Sequence, residues 1–497
     1  MTRGLVSSPH RLASEIGAQI LREGGNAVDA AVATDAALCV IYPHMTSIGG
    51  DLFALVWPAG ATGPYGLTGA GRSGSEATIE AVRAAGHTRM PERGAMTVNA
   101  PGTVEAWGRL VERFGRLGLE PLLAPAAALA EDGWEVSPGV AEGMRRTADW
   151  RRLLPDMWVL WPSMEPGMTL RNPDLAAVLR AVGRYGYSVF ASGEVADAIS
   201  RTVREEGGFL TPADIRSRSS WVTPVSFSYR DHRVWEMPPP SQGLAAAGLL
   251  RRFEAYPPED LLGERFGAIL RRERDTVYGL RDRYITDPDF VDAPREPFLD
   301  PSVVGAPAGE PPADGDTIAL SVVDDEGTLV SMIQSVSGSF GSGVVARGTG
   351  ILLHNRGNYF SLDPGHVNRL EPRKRTMHTL IPAMAEGRGR RIAFGSMGGD
   401  GQPQLQTEVL LQLVDGGLGA QEAVSAPRIR VADATTTWIE ADHPLARTWL
   451  RSLPGAVPLA PADTSFGHAT AIVATPDCTW DAGADPRSDG AVAHSAR

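Results

Sequence analysis

The sequence predicts an α/β or α+β protein with stacked layers of secondary structure. Helix, strand and turn patterns alternate along its 497 residues, and no segment repeats. Hydrophobic residues make up 43% and charged residues 21%, proportions that are typical of globular proteins and exclude a disordered chain. Because Gly (56) and Pro (38) are abundant, we expect many tight turns between the elements.

The first predicted elements are two helices and a buried strand. Ser8-Pro9 is typical of a helix start, and Gly24-Gly25 is typical of a helix end. Asn26 is suited to cap a second helix, which should end before Pro43. The apolar segment Ser47–Val56 then predicts a buried strand entered through glycine.

Periodicity predicts further elements in the central part of the chain. Apolar residues at helical spacing indicate helices over Thr103–Phe114, Glu120–Glu131 and Pro173–Tyr185. Alternating apolar residues indicate strands over Val222–Tyr229 and Arg233–Glu236.

A segment without large apolar residues, GAPAGEPPADGD at Gly305–Asp316, reads as a surface linker. It is followed by a predicted hairpin with strands Thr317–Val323 and Thr328–Val336. If Val323 pairs with Thr328, Thr317 lies opposite Gln334, whereas a one-residue bulge at the turn places it opposite Ser335. In either register a hydroxyl-bearing residue at the end of the linker faces polar side chains.

The common catalytic and metal-binding motifs are absent. The sequence contains no GxSxG, HExxH or GxxxxGK[ST] pattern, and its ten histidines lack structural-zinc spacing. The lone lysine, Lys374, lies between two arginines, where the low pKa of a Schiff-base amine is not expected. Cys39 and Cys478 form no CxxC pair. We therefore expect no cofactor and no metal.

Charge and hydropathy restrict the partners. A net charge of −12 argues against nucleic acid and anionic membranes. Neither an apolar signal core in the first 25 residues nor a run of 18 apolar residues is found. With only two cysteines, a cytoplasmic location is expected.

Thr317 could serve as a nucleophile if the Asp316–Thr317 bond were cut. The new α-amine, with a pKa of about 7.7–8, could take the proton of the threonine hydroxyl. The turn Gly398-Gly399, between the predicted strand Arg391–Ser396 and a helix from about Gln402, could supply backbone N–H groups to an oxyanion. From the residues alone, a strand-forming threonine and a simple βα turn remain alternatives.

Eight segments together resemble the γ-glutamyltransferase family, almost from end to end and in the same order. Four of them resemble its large subunit: Gly24–Val40, Pro43–Val56, Ala100–Trp107 and Leu129–Trp134. The other four resemble its small subunit: Gly315–Ser335, Phe340–Gly357, Gly395–Gln406 and Gly483–Ala491.

The resemblance implies an N-terminal-nucleophile hydrolase with a four-layer αββα sandwich. The precursor would cleave itself between Asp316 and Thr317, making the linker 305–316 the processing segment. Residues 1–316 would form the large subunit, residues 317–497 the small subunit with Thr317 as nucleophile, and the two would remain associated as a heterodimer.

Further site residues are implied by the same resemblance. Gly398 and Gly399 match the oxyanion-hole glycines, and Ser335 matches a threonine that holds the amino group of the nucleophile. The substrate-contact positions are occupied by Arg356, Tyr359, His378, Thr379 and Ser337.

The sequence departs from the glutathione-cleaving members at several of these positions. Ile79 replaces the arginine of their Ala-Thr-Arg motif, and Tyr359 replaces the acid that grips the α-amine. His378-Thr379 replaces a Ser-Ser pair, and Arg356 replaces a glutamine. A γ-glutamyl head would leave its ammonium unpaired here, at a cost of several kcal/mol. Arg356 suits a short acid without an amino group.

These departures resemble the oxamate amidohydrolase branch, so hydrolysis of a small amide acid such as oxamate is expected. Four alternatives stay open: a γ-glutamyl hydrolase or transferase for glutathione-like amides, a natural-product C–C hydrolase of the same family, a cephalosporin-type acylase, and a catalytically inert binding homologue.

Overall fold

Two antiparallel sheets form the centre of the computed structural model, which describes residues 4–150, 155–216, 219–305, 315–475 and 479–496. Most of the predicted processing linker (residues 306–314) and Cys478 lie outside the described residues. The strands in chain order are β1 (Leu5–Ser8), β2 (Asp51–Trp57), β3 (Tyr65–Gly69), β4 (Trp134–Glu135), β5 (Thr169–Leu170), β6 (Ser220–Val222), β7 (Val225–Tyr229), β8 (His232–Glu236), β9 (Asp316–Val323), β10 (Leu329–Ser337), β11 (Val345–Ala346), β12 (Ile351–Leu352), β13 (Ala383–Gly387), β14 (Arg390–Ser396), β15 (Ile429–Val431), β16 (Thr437–Glu440), β17 (Ala456–Leu459), β18 (Ala469–Ala474), β19 (Trp480–Ala484) and β20 (Ala491–His494).

Helices cover the outer faces of these sheets. In chain order they are α1 (Arg11–Arg22), α2 (Ala27–Ile41), α3 (Ile79–Ala84), α4 (Thr103–Phe114), α5 (Leu119–Asp132), α6 (Pro138–Arg146), α7 (Pro155–Leu160), α8 (Pro173–Tyr185), α9 (Ser188–Ala191), α10 (Glu194–Glu205), α11 (Gly243–Phe253), α12 (Pro258–Leu261), α13 (Phe266–Tyr284), α14 (Glu296–Leu299), α15 (Gln402–Val414), α16 (Ala420–Ser425) and α17 (Ala446–Ser452). Within the described ranges, no helix has both the length and the apolar character needed to cross a membrane.

The first sheet has seven strands in the order β20-β1-β9-β10-β2-β3-β6, and the second has six in the order β19-β18-β14-β13-β8-β7. Strands β15-β16-β17 form a small third sheet, and two-stranded ribbons pair β4 with β5 and β11 with β12. Strands β9 and β10 lie in the middle of the first sheet, between β1 and β2.

The two large sheets pack face to face over an apolar core. The first sheet contributes Leu5, Phe53, Leu55, Trp57, Ala319, Val323, Leu329 and Ile333, and the second contributes Trp235, Met384, Ala393 and Ile472. The opposite face of the first sheet packs against α1, α2 and α4, and that of the second against α11, α15 and α16; α5 packs on α2 and α13 on α11. Because strand side chains alternate between faces, each sheet buries both sides. The layer order is therefore αββα, as the resemblance implied.

Several predicted elements are confirmed. Helices α4 and α8 have the predicted bounds, and α5 is longer by one residue at each end. Asn26 caps α2 in a capping box with Asp29, accepting hydrogen bonds from the backbone N–H groups of Val28 and Asp29. Strands β8 and β14 and helix α15 begin within one residue of the predicted positions.

Two predictions near the N terminus are wrong in detail. Ser8 does not cap the first helix, because it belongs to β1, where it pairs with Ala491. The cap is His10, whose Nδ1 accepts the Leu12 N–H at 3.2 Å. The strand predicted from Ser47 begins only at Asp51, because residues 47–50 form a turn closed by the Gly50 N–H to Ser47 carbonyl bond of 2.9 Å.

The predicted strand Val222–Tyr229 is also wrong as a single element. It is divided into β6, at the edge of the first sheet, and β7, at the edge of the second. Pro224 lies between them, and proline has no N–H to donate to a strand ladder. The chain therefore changes sheets at this point.

The predicted hairpin is confirmed in the second of its two registers. Leu329 pairs with Val323 and Gln334 with Ile318, so Gln334 is not opposite Thr317. The ladder is interrupted between Gln334 and Ser337, which is the partner of Asp316. Thr317 consequently lies across from Ser335, next to a bulge.

Candidate active site

Thr317 lies at the start of β9, where its side chain is buried and hydrogen-bonded. Its Oγ1 donates to the Oγ of Ser335 over 3.2 Å, and Ser335 Oγ donates to the carbonyl oxygen of Asp316 over 2.6 Å. Both side chains are almost fully buried. The hydroxyls of Thr317 and Ser335 therefore form a chain that ends on the peptide bond predicted to be cut.

The backbone around Ser335 is shaped to hold this hydroxyl. The Ser337 N–H donates to Ser335 Oγ over 2.7 Å, and Ser337 has a φ of 81°, in the left-handed region. Such a φ is uncommon for a residue with a Cβ and is stabilised here by the bulge next to it. Ser337 thus acts on Ser335 through its backbone in the uncut chain.

Strand alternation places three polar side chains on the inner face of the first sheet. Ala319 of β9, Ile333 of β10 and Phe53 of β2 all belong to the core between the sheets. The residues two positions away from them are Thr317, Ser335 and Asp51, and these share that face. Asp51 is the direct partner of Ser335 in the β2–β10 ladder. An aspartate therefore neighbours the hydroxyl pair.

The turn Gly398-Gly399 lies against the chain that leads into Thr317. Gly398 has a φ of 137° and Gly399 a φ of 53°, so both favour glycine. A Cβ on Gly399 would stand 2.7 Å from the nitrogen of Gly315, two residues before Thr317. The turn leads through a single turn of 3-10 helix, Gly399–Gly401, into α15. Backbone N–H groups at the N-terminal end of a helix are suited to stabilise an anion.

Buried side chains of the second helix layer hold this turn. Gln242 Nε2 donates to the carbonyl oxygens of Gly399, at 3.1 Å, and Thr379, at 3.2 Å. Arg281 donates to Gln242 Oε1 over 3.2 Å and forms an ion pair of 3.2 Å with Asp400. The turn is therefore fixed to the segment that carries Thr379.

Arg356 is buried next to this segment with part of its guanidinium unused. Its Nη1 donates to Thr379 Oγ1 over 3.1 Å, and its Cζ lies 5.1 Å from the ring centre of Tyr359. Its Nε and Nη2 make no hydrogen bond of good geometry in the described part of the chain, and the side chain of Tyr359 is a polar group that also interacts with the guanidinium. Burial lowers the pKa of Arg356 from its ordinary value, which is well above neutrality. A buried cation with two unused donors is suited to bind a carboxylate.

His378, the residue before Thr379, is paired with Asp51. The Nε2 of His378 lies 3.0 Å from Asp51 Oδ2. Burial lowers the pKa of His378 to about 3, so the imidazole is neutral at pH 7. Burial alone would raise the pKa of Asp51. His354, His378 and Arg356 face its carboxylate, however, and together they hold the pKa of Asp51 below its usual value. Asp51 is therefore ionised, and Nε2 of His378 carries the proton it shares with this carboxylate.

These contacts connect the residues around Thr317 in a closed ring. Thr317 contacts Ser335, which is the ladder partner of Asp51, and Asp51 contacts His378. Thr379 follows His378 and is joined through Gln242 to Gly399, which packs on Gly315. The structure thus brings together the predicted residues from distant parts of the sequence.

Tyr359 lies between Arg356 and a cavity of about 820 Å³. The lining of the cavity mixes polar and apolar side chains, among them Tyr359, Phe360, Met377, Arg281 and His366. Ile79, which the resemblance matches to the family arginine, packs in an apolar cluster with Phe360. The predicted counterpart of that cation is therefore an apolar, buried side chain in this chain.

Sequence reasoning missed Asp51, Gln242, Arg281 and His354. Asp51 and His354 lie within segments that carry the resemblance, but a lone acid after two glycines or a lone histidine is a weak signal. Gln242 follows a run of prolines, which indicates a constrained loop but no chemistry. These residues act through contacts with distant parts of the chain.

Comparisons with known proteins identify the family and the fold. The profile of the family described as gamma-glutamyltranspeptidase matches residues 13–495. The glutathione hydrolase-like YwrD proenzyme of Bacillus subtilis and the oxamate amidohydrolase proenzyme of Klebsiella pneumoniae are each 35% identical, over 99% of this chain and 98% of the relative. The crystal structure of cephalosporin acylase from Bacillus halodurans superposes with a TM-score of 0.92 at 33% identity, covering 99% of this chain and 96% of that one.

The match of the family profile extends over nearly the whole chain, and the αββα layers are those of the N-terminal-nucleophile hydrolases. The chain is accordingly an enzyme, a hydrolase or acyltransferase, and it belongs to the gamma-glutamyltranspeptidase family.

Proposed function

We propose that this protein is a self-processing amidohydrolase that hydrolyses a small amide acid such as oxamate through an N-terminal threonine. The observation that carries the substrate class is Arg356, which is buried beside the ring of contacts and keeps two unused donors. A carboxylate next to the scissile amide would satisfy both of them.

Processing would begin with attack of Thr317 Oγ1 on the carbonyl carbon of Asp316. The peptide C–N bond breaks as an ester C–O bond forms, and the nitrogen of Thr317 gains a proton. Water then hydrolyses the ester, leaving a carboxylate on Asp316 and a free α-amine on Thr317. The hydrogen bond from Ser335 to the Asp316 carbonyl supports this step, because it stabilises the negative charge that develops on that oxygen.

The topology supports two chains that stay together after cleavage. A cut after Asp316 would separate residues 1–316 from residues 317–497. Strands β9 and β10 of the smaller chain would still pair with β1 and β2 of the larger one. Strand β13 would pair with β8 across the second sheet in the same way. Both sheets would therefore contain strands from both chains.

In turnover, the α-amine of Thr317 would take the proton of Oγ1 while Oγ1 attacks the amide carbon. The backbone N–H groups of Gly398 and Gly399 would hold the oxyanion. Collapse of the intermediate transfers the proton to the leaving nitrogen and releases ammonia. Water then hydrolyses the acyl ester, which yields oxalate and restores Thr317.

Ammonia release from oxamate by the processed protein tests this proposal. We expect turnover of oxamate, with glutamine and glutathione much poorer substrates because no anion in place of Tyr359 pairs with their α-ammonium. Release of ammonia from glutamine, or of cysteinylglycine from glutathione, without activity on oxamate would refute the substrate class.

The cavity beside Tyr359 favours a second candidate, an amide with a larger group on one side of the scissile bond. Its volume of about 820 Å³ far exceeds the needs of oxamate. A γ-glutamyl amide or an acylase substrate would extend into it. A series of amide acids of increasing chain length separates the two candidates. If the substrate is a small amide acid, kcat/KM should fall with chain length; if it is a larger amide, kcat/KM should rise with chain length.

A further inference from the structure

His378 is held rigidly by its backbone and by its ring. Its N–H donates to the carbonyl of Pro240 over 2.7 Å, and its carbonyl accepts from the N–H of Gln242 over 2.8 Å. The ring centre lies 4.6 Å from that of Phe53, and Nε2 lies 3.0 Å from Asp51 Oδ2. The position of the remaining ring nitrogen, Nδ1, is therefore fixed.

The pairing with Asp51 determines what Nδ1 can do. Asp51 Oδ1 already accepts the Gly71 N–H over 3.0 Å, so this carboxylate serves as an acceptor on both oxygens. Nε2 of a neutral His378 then carries the hydrogen, and Nδ1 presents a lone pair. Nδ1 is buried and has no hydrogen-bond partner in the described residues. Buried acceptors of this kind normally have a donor, which indicates that a ligand supplies it.

A second set of unused polar atoms lies on Arg356, whose charge is near enough to His378 to help lower the pKa of the imidazole. Arg356 is bonded to Thr379, the residue after His378, and its Nε and Nη2 lack partners within the described ranges. A ligand that satisfies both sets has a carboxylate for Arg356 and, close to it, an N–H or O–H donor for His378. A primary amide next to a carboxylate has these two groups side by side.

We propose that His378, with Asp51 as its positioning residue, binds the N–H side of the scissile amide through Nδ1 and makes the enzyme selective for amides over esters. This inference rests on the proposed function, because it assumes that the carboxylate of the substrate lies on Arg356. His378 binds and orients, and takes no proton in the reaction. An ester places an oxygen lone pair against Nδ1, where an amide places a donor.

The test compares oxamate with a monoalkyl ester of oxalic acid, which has the same carboxylate but no N–H. His378→Phe keeps the aromatic packing on Phe53 and removes the acceptor. We expect the ratio of kcat/KM for oxamate to that for the ester to fall about tenfold or more, the usual effect of one lost hydrogen bond in a buried site. Cleavage into the two chains and the melting temperature of His378→Phe are the controls for folding and processing. An unchanged ratio would overturn the proposal.

Asp51→Asn provides a second variant of nearly the same shape. The amide of asparagine can donate to Nε2, so the hydrogen of His378 moves to Nδ1 and the acceptor becomes a donor. The oxamate-to-ester ratio should then fall further than in His378→Phe. If Asp51 acts in folding alone, Asp51→Asn would lower the turnover of oxamate and of the ester equally. The oxamate-to-ester ratio would then equal that of the wild type, which would contradict the proposal.

Nitrogen-15 NMR of the histidine rings gives a measurement that needs no substrate. The wild-type protein should show His378 as the neutral Nε2–H form and Asp51→Asn as the Nδ1–H form. An Nδ1–H form in the wild type contradicts the inference. If the wild type hydrolyses γ-glutamyl amides and not oxamate, the proposed function fails. The ratio of kcat/KM for the amide to that for the ester is then measured with a γ-glutamyl amide and a γ-glutamyl ester. If this ratio is the same in His378→Phe as in the wild type, the role of His378 is overturned as well.

Discussion

The hydroxyl of Thr317 donates a hydrogen bond over 3.2 Å to Ser335, whose own hydroxyl donates over 2.6 Å to the carbonyl oxygen of Asp316. This arrangement joins the proposed nucleophile to the carbonyl that it would attack. A proton leaving Thr317 Oγ1 has a path through Ser335 to the oxygen that becomes negative. The same contact therefore connects the fold of the hairpin with the proposed self-cleavage.

Replacement of Thr317 tests whether cleavage occurs at this bond. Thr317→Ala should leave a single chain of 52.8 kDa, because no oxygen remains to attack Asp316. The wild type should give bands of about 34 and 19 kDa, the proportion 316:181 of the whole mass. Thr317→Ser keeps a hydroxyl and should retain slow processing and some turnover. Two bands of these masses from Thr317→Ala would contradict the proposal.

Replacement of Ser335 tests the proton path. Ser335→Ala removes the hydrogen bonds with Thr317 and Asp316, together with the one from the Ser337 N–H. We expect processing to slow about 100-fold, in the range for loss of positioned proton transfer. Ser335→Thr keeps the hydroxyl and matches the residue that the family has there, so it should process at a rate close to that of the wild type. The rates are read from the decay of the full-length band after synthesis. Equal rates in the two variants would exclude a role for the hydroxyl.

The Gly398-Gly399 turn can be tested with a matched glycine elsewhere. Gly399→Ala adds a Cβ 2.7 Å from the Gly315 nitrogen at a φ of 53°, so it should displace the turn and abolish processing and turnover. Gly389→Ala adds a Cβ at a similar φ of 71° with no atom within 4 Å. It should lose a little thermal stability and keep full activity. Comparable activity of the two variants would contradict the role of the turn.

The sequence predicted the elements whose signals are local. Helices α4 and α8 have amphipathic periods and clear ends, and α2 has a capping box at Asn26, so each can be read within a short window. The hairpin of β9 and β10 was recognised for the same reason, and its two possible registers already placed Gln334 or Ser335 against Thr317. Only the three-dimensional ladder distinguished them.

The remaining features depend on contacts between distant parts of the chain. Asp51 and His378 are separated by 327 positions, and neither has a neighbour in sequence that indicates a pair. Ser8 looks like a helix cap locally, but pairing of β1 with β9 and β20 takes it into the first sheet. Tertiary pairing overrides local preference at such places, which sequence patterns do not record.

Arg356 should determine how well a carboxylate substrate binds. Arg356→Met removes the charge and both unused donors, and Arg356→Lys keeps the charge without the planar fork. We expect KM for oxamate to rise about 10- to 100-fold in Arg356→Met, because charge-assisted hydrogen bonds contribute about 1.5–3 kcal/mol. The increase should be smaller in Arg356→Lys. A neutral analogue such as pyruvamide is the control, and a parallel loss of its turnover would show that the arginine acts on folding instead.

Glu408 of α15 should make stability depend on pH. It is buried, its Oε1 has no hydrogen-bond partner among the described residues, and burial raises its pKa from 4.5 to about 8. Between pH 4.5 and about pH 8, the carboxyl of Glu408 holds a proton in the folded chain and releases it in the unfolded chain. The free energy of unfolding should therefore fall as pH rises through this window, by up to about 1.4 kcal/mol per pH unit from this group.

Glu408→Gln has nearly the same shape and does not titrate, so it isolates this effect. As pH rises from 5 to 8, the melting temperature of the wild type should fall relative to that of Glu408→Gln. The two melting temperatures should be closest at pH 5, where Glu408 is protonated and neutral like glutamine. Glu112→Gln, at an exposed position on α4, is the matched control. A difference between wild type and Glu408→Gln that stays constant from pH 5 to pH 8 would mean that Glu408 is ionised throughout, balanced by Arg428 and Arg487, which face it.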